Sequence, residues 1–217
     1  TMNITAATTV NGGAAGGVTV AGALNQTSGS PTFTIGNGTD EDLTTNTGAS
    51  VTLSIGTTVI KDDLVMNAGT VAVSNTMDHN DNTTGNIIDL NGGTLTVSGG
   101  TYTLGGGLEE DGGAATISTT MTLGTDIDVN SGTLDIDAGA NVDFSGVFCS
   151  QVGATINLDG GTTDGTGNDL SHFRFNGVTI NLNGGTHKTG PNSVVEFSRN
   201  AANDCNADGT LGATTVT

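Results

Sequence analysis

The stretch Leu90-Asn91-Gly92-Gly93-Thr94-Leu95-Thr96-Val97-Ser98-Gly99-Gly100-Thr101-Tyr102-Thr103-Leu104 carries the pattern that decides the fold. Asn and Gly tolerate positive φ, so Asn91-Gly92-Gly93 turns the chain. Thr94-Leu95-Thr96-Val97 then alternates with period two. That period places Leu95 and Val97 on one face of a strand and the threonines on the other. Gly99-Gly100 turns the chain again, and Tyr102 and Leu104 repeat the alternation.

The same phrase, Asn/Asp-x-Gly-Thr/Ala followed by alternating apolar residues, recurs along the chain. Clear copies begin at Asn67, Asn91, Asp111 and Asn130, looser ones at Asn46, Gln151 and Asn176, and weaker ones at Asn3 and Asn25. Asn183-Gly184-Gly185-Thr186 serves as well as Asn176 for the last anchor. The anchors lie 19 to 25 residues apart, about 21.6 on average. Two or three short strands joined by glycine turns within such a repeat make one coil of a stacked solenoid. The prediction is an all-β, right-handed parallel β-helix of about 8–9 coils of ~21 residues. Residues 1–186 form its body and residues 187–217 a C-terminal cap or docking segment. A β-sandwich also shows short strands at regular spacing. It normally has a more aromatic core, however, and does not repeat one phrase in register.

Composition agrees with a narrow core. Only 34% of residues are hydrophobic and 3% aromatic, while glycine supplies 36 of 217. Low hydrophobicity with high net charge is a signature of disorder, yet here the apolar residues fall in alternating bursts. The net charge is −18, from 22 acidic and 4 basic side chains. Arg174, Lys188 and Arg199 all lie in residues 174–217, so residues 1–173 hold Lys61 as their single basic side chain. Such a body cannot neutralise phosphates, which argues against nucleic acid as a partner. No run approaches the ~18–20 apolar residues of a membrane helix, so no membrane insertion is expected. The opening Thr1-Met2-Asn3-Ile4-Thr5 already alternates and does not read as a leader.

The stretch Leu90–Leu104 resembles the strand repeats of bacterial autotransporter passengers and haemagglutinin-like adhesins, a likeness covering about residues 40–185. The resemblance implies a right-handed β-helix displayed outside the cell. It carries no catalytic residues over to this chain.

Asp204-Cys205-Asn206-Ala207-Asp208-Gly209-Thr210 matches the opening of a calcium loop. It has side-chain oxygens at positions one, three and five and Gly at six, followed by a carbonyl at Thr210. Thr215 stands at position twelve, where a bidentate Glu is wanted. The reading is therefore a calcium site of a non-EF-hand kind on Asp204, Asn206, Asp208 and Thr210, or else an ordinary Asx-rich turn. Asp78-His79-Asn80-Asp81-Asn82 offers similar oxygens at poorer spacing. Gly165–Leu170 is half of a glycine-rich calcium repeat without its tandem copy. Cys149 and Cys205 are read as one disulfide in an oxidising compartment.

His79, His172 and His187 share no ligand spacing and read as surface residues. Asp62-Asp63 and Glu109-Glu110-Asp111 are paired acids, but adjacent residues on a strand face opposite ways, and they read as solvated turn charges. Thr-x-Thr pairs (Thr32/Thr34, Thr94/Thr96, Thr101/Thr103, Thr120/Thr122) would suit an ice-binding face only if stacked on one sheet. No catalytic motif is present, and the chain is not expected to be an enzyme.

The expected function is that of a secreted structural protein, a homopolymer assembling head to tail into a surface filament or layer. Its contacts are expected at Thr1, Met2, Asn3 and Ile4 at one end and Thr214, Thr215 and Val216 at the other. The alternative is a cell-surface adhesin that binds a glycan or matrix ligand through insertion loops at 78–85 and 160–172.

Overall fold

Thr94–Val97 lies parallel and in register between Thr70–Val73 and Ala114–Ile117, with Leu95 meeting Val71 on one side and Ala115 on the other. The same relation propagates through the chain. The computed structural model describes residues 1–6, 8–10, 17–29, 32–36, 42–79, 86–165, 173–188, 195–197 and 215–217. Within them every strand pairing is parallel, in three sheets of ten, nine and nine strands. The first sheet runs from Met2–Asn3 to Thr215–Val216, the second from Thr8–Val10 to Thr186–Lys188, and the third from Val18–Val20 to Val195–Phe197. The chain visits the three sheets in rotation. It is an all-β parallel β-solenoid, with no helix among the described residues.

Leu24, Val51, Val71, Leu95, Ala115, Leu134, Ile156 and Ile180 stack in one column. From Leu24 to Ile180 the chain makes seven turns, averaging about 22 residues each. The expected count of 8–9 coils at ~21 residues thus differs slightly from these seven turns. Asn3 and Asn25 were poor anchors because both lie within strands, Met2–Asn3 and Ala23–Gln26. Asn176 is the true corner residue: its N–H donates to Ser150, just as that of Gln151 donates to Val129.

The corner that closes each coil explains the recurring phrase. The N–H groups of Asn67, Asn91, Asp111 and Asn130 donate to the rung below, at Thr45, Met66, Leu90 and Glu110. Their side chains form ladders: Asn67 Nδ2 donates to Asn46 Oδ1 at 3.3 Å, and Asn130 Nδ2 to Asp111 Oδ1 at 2.7 Å. The glycine two places on is obligatory. Gly93 has φ of 88°, and a Cβ there would stand 2.5 Å from the Gly69 carbonyl.

Inside, the sheets bury a continuous column of Val, Leu, Ile and Met, each rung removing its apolar stripe from water against its neighbours. Phe144, Phe148, Phe173 and Phe175 cluster toward the C-terminal end, with ring centroids 5.4–6.1 Å apart. Two expectations are corrected here. Asp78 and His79 belong to the strand Thr76–His79, and Thr162–Asp164 is a strand of the second sheet. Residues 80–85 and 166–172 lie outside the described residues. Beyond residue 186, Val195–Phe197 and Thr215–Val216 continue the third and first sheets. Among the described residues no helix is long and apolar enough to cross a membrane.

Candidate functional site

Three regions of the solenoid carry chemistry or exposed apolar surface: its two ends, the outer face of the third sheet, and a few ionisable groups inside.

The ends expose the material that every inner rung buries. Among the described residues, four of the five exposed large hydrophobics lie there, with Met2, Leu182, Val195 and Val216 each 43–51% exposed. The N-terminal end has a cleft of about 300 Å³ lined by Thr1, Met2 and the segment Val18–Leu24. The C-terminal end has an apolar cavity of about 120 Å³ between Leu158, Phe173, Phe175, Ile180, Leu182, His187 and Val195. Of the expected assembly residues, Met2–Asn3 pairs within the chain to Leu24 and Asn25. Thr215–Val216 pairs likewise to Thr179 and Ile180. Thr1 is exposed, whereas Ile4 is buried and its N–H donates to the Asn25 carbonyl. Thr214 lies outside the described residues.

On the third sheet, Asp89, Glu109 and Asp128 occupy the same outward position on successive rungs. Rungs are about 4.8 Å apart, so three carboxylates stack on successive rungs. Asp126 and Asp111 flank the column, and Asp126 Oδ1 accepts the Val147 N–H at 2.6 Å. Partial burial, reinforced by Asp126, Glu109 and Asp111, raises the Asp128 pKa to about 7. Burial and then Asp111 and Asp89 raise that of Glu109. At the corner between the second and third sheets, Asp42, Asp62 and Asp63 bring carboxylate oxygens within 4.8 Å of one another. Burial raises the Asp63 pKa, opposed by the Ile87 N–H and reinforced by Asp62, Asp42 and Asp89. Oxygen-only donors of this kind suit a hard cation.

Two interior groups overturn the reading of their residues as solvated. Glu110 is 0% exposed, because its strand Leu108–Glu110 turns it inward while Glu109 faces out. His79 is buried as well: its Nδ1 lies 3.2 Å from the Tyr102 hydroxyl and its Nε2 faces the Asp62 carbonyl. A carbonyl only accepts, so Nε2 carries the hydrogen and Nδ1 accepts from Tyr102. The missed signal was the period itself. His79 follows Met77 by two, and Glu110 follows Leu108 by two, which places both on the apolar face. His187 is half-buried, with Nδ1 3.0 Å from Thr163 Oγ1, and His172 lies outside the described residues.

The calcium loop at Asp204, Asn206, Asp208 and Thr210 lies outside the described residues, as does Cys205. Cys149 is 1% exposed and is not a free thiol, although it shares the outward column of Asp128 and Arg174. Thr101 and Thr103 stack on Thr120 and Thr122 in the second sheet, but Thr94 and Thr96 stand on the first. The Thr-x-Thr pairs are thus divided between faces.

These features define a β-helix repeat protein by architecture. Comparison with known protein families, curated proteins and solved structures returns no match.

Proposed function

We propose that this chain is an extracellular, non-catalytic structural protein whose solenoids stack end to end into a surface filament or layer. In this reading it is akin to the surface β-helix repeats of autotransporter passengers and haemagglutinin-like adhesins. One observation carries the proposal: the exposed large hydrophobics Met2, Leu182, Val195 and Val216 gather at the two ends of the stack. The outermost strands there have a neighbour on one side only among the described residues. Open parallel edges with apolar flanks favour addition of another strand. The contact joins two different surfaces, so it propagates instead of closing. The acidic third face keeps such a rod from associating sideways, since like charges oppose each other across that contact.

Calcium enters this proposal through Asp204, Asn206, Asp208 and Thr210, where it would stiffen the segment that precedes the last strand. A disulfide between Cys149 and Cys205 would tie the same segment to the third sheet.

Negative-stain electron microscopy of the protein, first with calcium and then with chelator, tests the reading. Filaments of regular repeat are expected, and their loss on chelation would assign calcium to the junction. Single rods about 45 Å long, the span of the stacked strands at ~4.8 Å per rung, in both conditions would overturn it. That outcome would favour an adhesin that takes a glycan or matrix ligand on its insertion loops.

A further inference from the structure

We infer that the outer face of the first sheet is a side-by-side contact between two copies of this chain, which meet sheet to sheet through the same uncharged surface. This contact is separate from the end-to-end one and stands or falls without it.

Charge distinguishes this face from the other two. Eight strands of the first sheet, from Ala23–Gln26 to Thr179–Leu182, stack in register. Each turns its first and third residues away from the core, and none of these side chains is buried. All are Thr, Asn, Ser or Ala except Asp135. By contrast, Asp78, Asp143 and Asp164 point outward from the second sheet, and Asp89, Glu109 and Asp128 from the third. Two rods of net charge −18 therefore meet with least repulsion across the first sheet.

The connections keep the same face flat. Between Ala23 and Leu182 no connection flanking the first sheet exceeds five residues. Three connections from the second sheet to the third, at 36–42, 80–87 and 165–172, run to seven or eight. The extra length enters the chain at the corner opposite the first sheet.

The chemistry of the face is complementary to itself, because Thr hydroxyls and Asn amides each donate and accept. Parallel in-register sheets bearing small uncharged side chains pack face to face as dry, interdigitated pairs, and Asn ladders add to them. Such ladders are formed here within the single chain. Asn25 Nδ2 donates to Asn3 Oδ1 at 3.1 Å and Asn181 Nδ2 to Asn157 Oδ1 at 2.6 Å. Asn157 Nδ2 donates in turn to Asp135 Oδ1, which gives the one charge of the face a partner. Side chains ordered before contact lose less freedom in making it.

The area is sufficient. Eight rungs at ~4.8 Å and four residues at ~3.3 Å make a face of about 500 Å², so a pair buries about 1,000 Å², where specific protein contacts begin. Both copies use the same surface, so the contact closes on two rods and admits no third.

Sedimentation velocity and small-angle X-ray scattering of the protein, over a range of concentrations, test the contact. A dimer of unchanged length and doubled cross-section is expected. Thr96→Glu with Thr116→Glu places two carboxylates on neighbouring rungs at the middle of the face and should weaken the dimer about 100-fold. Thr103→Glu with Thr122→Glu places the same pair on the second sheet and should leave the dimer intact. The two variants carry the same cross-strand repulsion, so equal melting temperatures separate a lost contact from a lost fold. Equal weakening in both variants, or a monomer at every concentration, would overturn the inference. A dimer of doubled length would overturn it while leaving the end-to-end reading standing, and paired rods that never lengthen would do the reverse. A rod that stays monomeric yet is retained by crystalline cellulose, and is released by Thr96→Glu with Thr116→Glu, would overturn it and assign the face to a glycan.

Discussion

The backbone N–H of Thr133 donates to Oε1 of Glu110 at 2.8 Å, across the corner where the third sheet of one rung gives way to the first sheet of the next. The other carboxyl oxygen, Oε2, has no hydrogen-bond partner among the described residues. Burial raises the Glu110 pKa to about 8, opposed by the Thr133 N–H and reinforced by Asp135. An acid whose folded pKa is raised stabilises the fold fully below its unfolded value, near 4.5, and progressively less as pH climbs toward 8. At ~1.4 kcal/mol per unit this group alone costs a few kcal/mol across that window. Asp128 acts in the same direction up to about pH 7. The protein should therefore melt higher at pH 5 than at pH 8. Glu110→Gln, which keeps the acceptor for Thr133, should flatten much of that slope. A melting temperature that rises from pH 5 to pH 8 would contradict the assignment.

Gly93 and Gly139 separate two reasons for glycine. Both have positive φ, 88° and 89°. A Cβ on Gly93 would meet the Gly69 carbonyl at 2.5 Å, whereas one on Gly139 meets nothing within 4 Å. Gly139→Ala should cost about 1 kcal/mol from backbone strain alone. Gly93→Ala should cost clearly more, because the rungs must part to admit the methyl. Urea denaturation followed by circular dichroism ranks them, and equal losses would mean that rung spacing sets no limit at this corner.

The fold was legible because the corner chemistry and the strand period are local. Asn91-Gly92-Gly93 names a turn, and Leu95 with Val97 names a buried face, without reference to any other part of the chain. Sheet membership was not legible, since it depends on how many residues each corner absorbs. Thr94/Thr96 and Thr101/Thr103 look alike in sequence yet stand on different sheets. The buried polar groups were missed for a related reason. Residue type argued that His79 and Glu110 were outside, while the period argued that they were inside, and the period was right. The end surfaces were legible as alternating segments, but which of their side chains stay exposed, Met2 and Val216 among them, appears only in the structure.

Tyr102→Phe tests the buried pair. The substitution keeps the ring that fills the second sheet's inner column and removes the O–H that His79 Nδ1 accepts at 3.2 Å. A lost hydrogen bond at a buried site costs about 1–3 kcal/mol. A lower melting temperature is expected, with strand content unchanged by circular dichroism. An unchanged melting temperature would show that the hydroxyl contributes nothing to the rung.

The last prediction concerns Cys149, which is buried on the outward side of the third sheet. An outward residue is buried only when something covers it, and the sequence offers Cys205 as its partner. Thiol titration of unfolded, unreduced protein should then find no free thiol. Reduction should lower stability by about 4 kcal/mol, the chain-entropy cost of releasing a loop of that length. The loss should be the same in Cys149→Ser and Cys205→Ser variants, and in neither should reduction add to it. Two thiols titrating in the unreduced protein would remove the disulfide from the account, and with it the tether proposed for the segment that leads to Thr215–Val216.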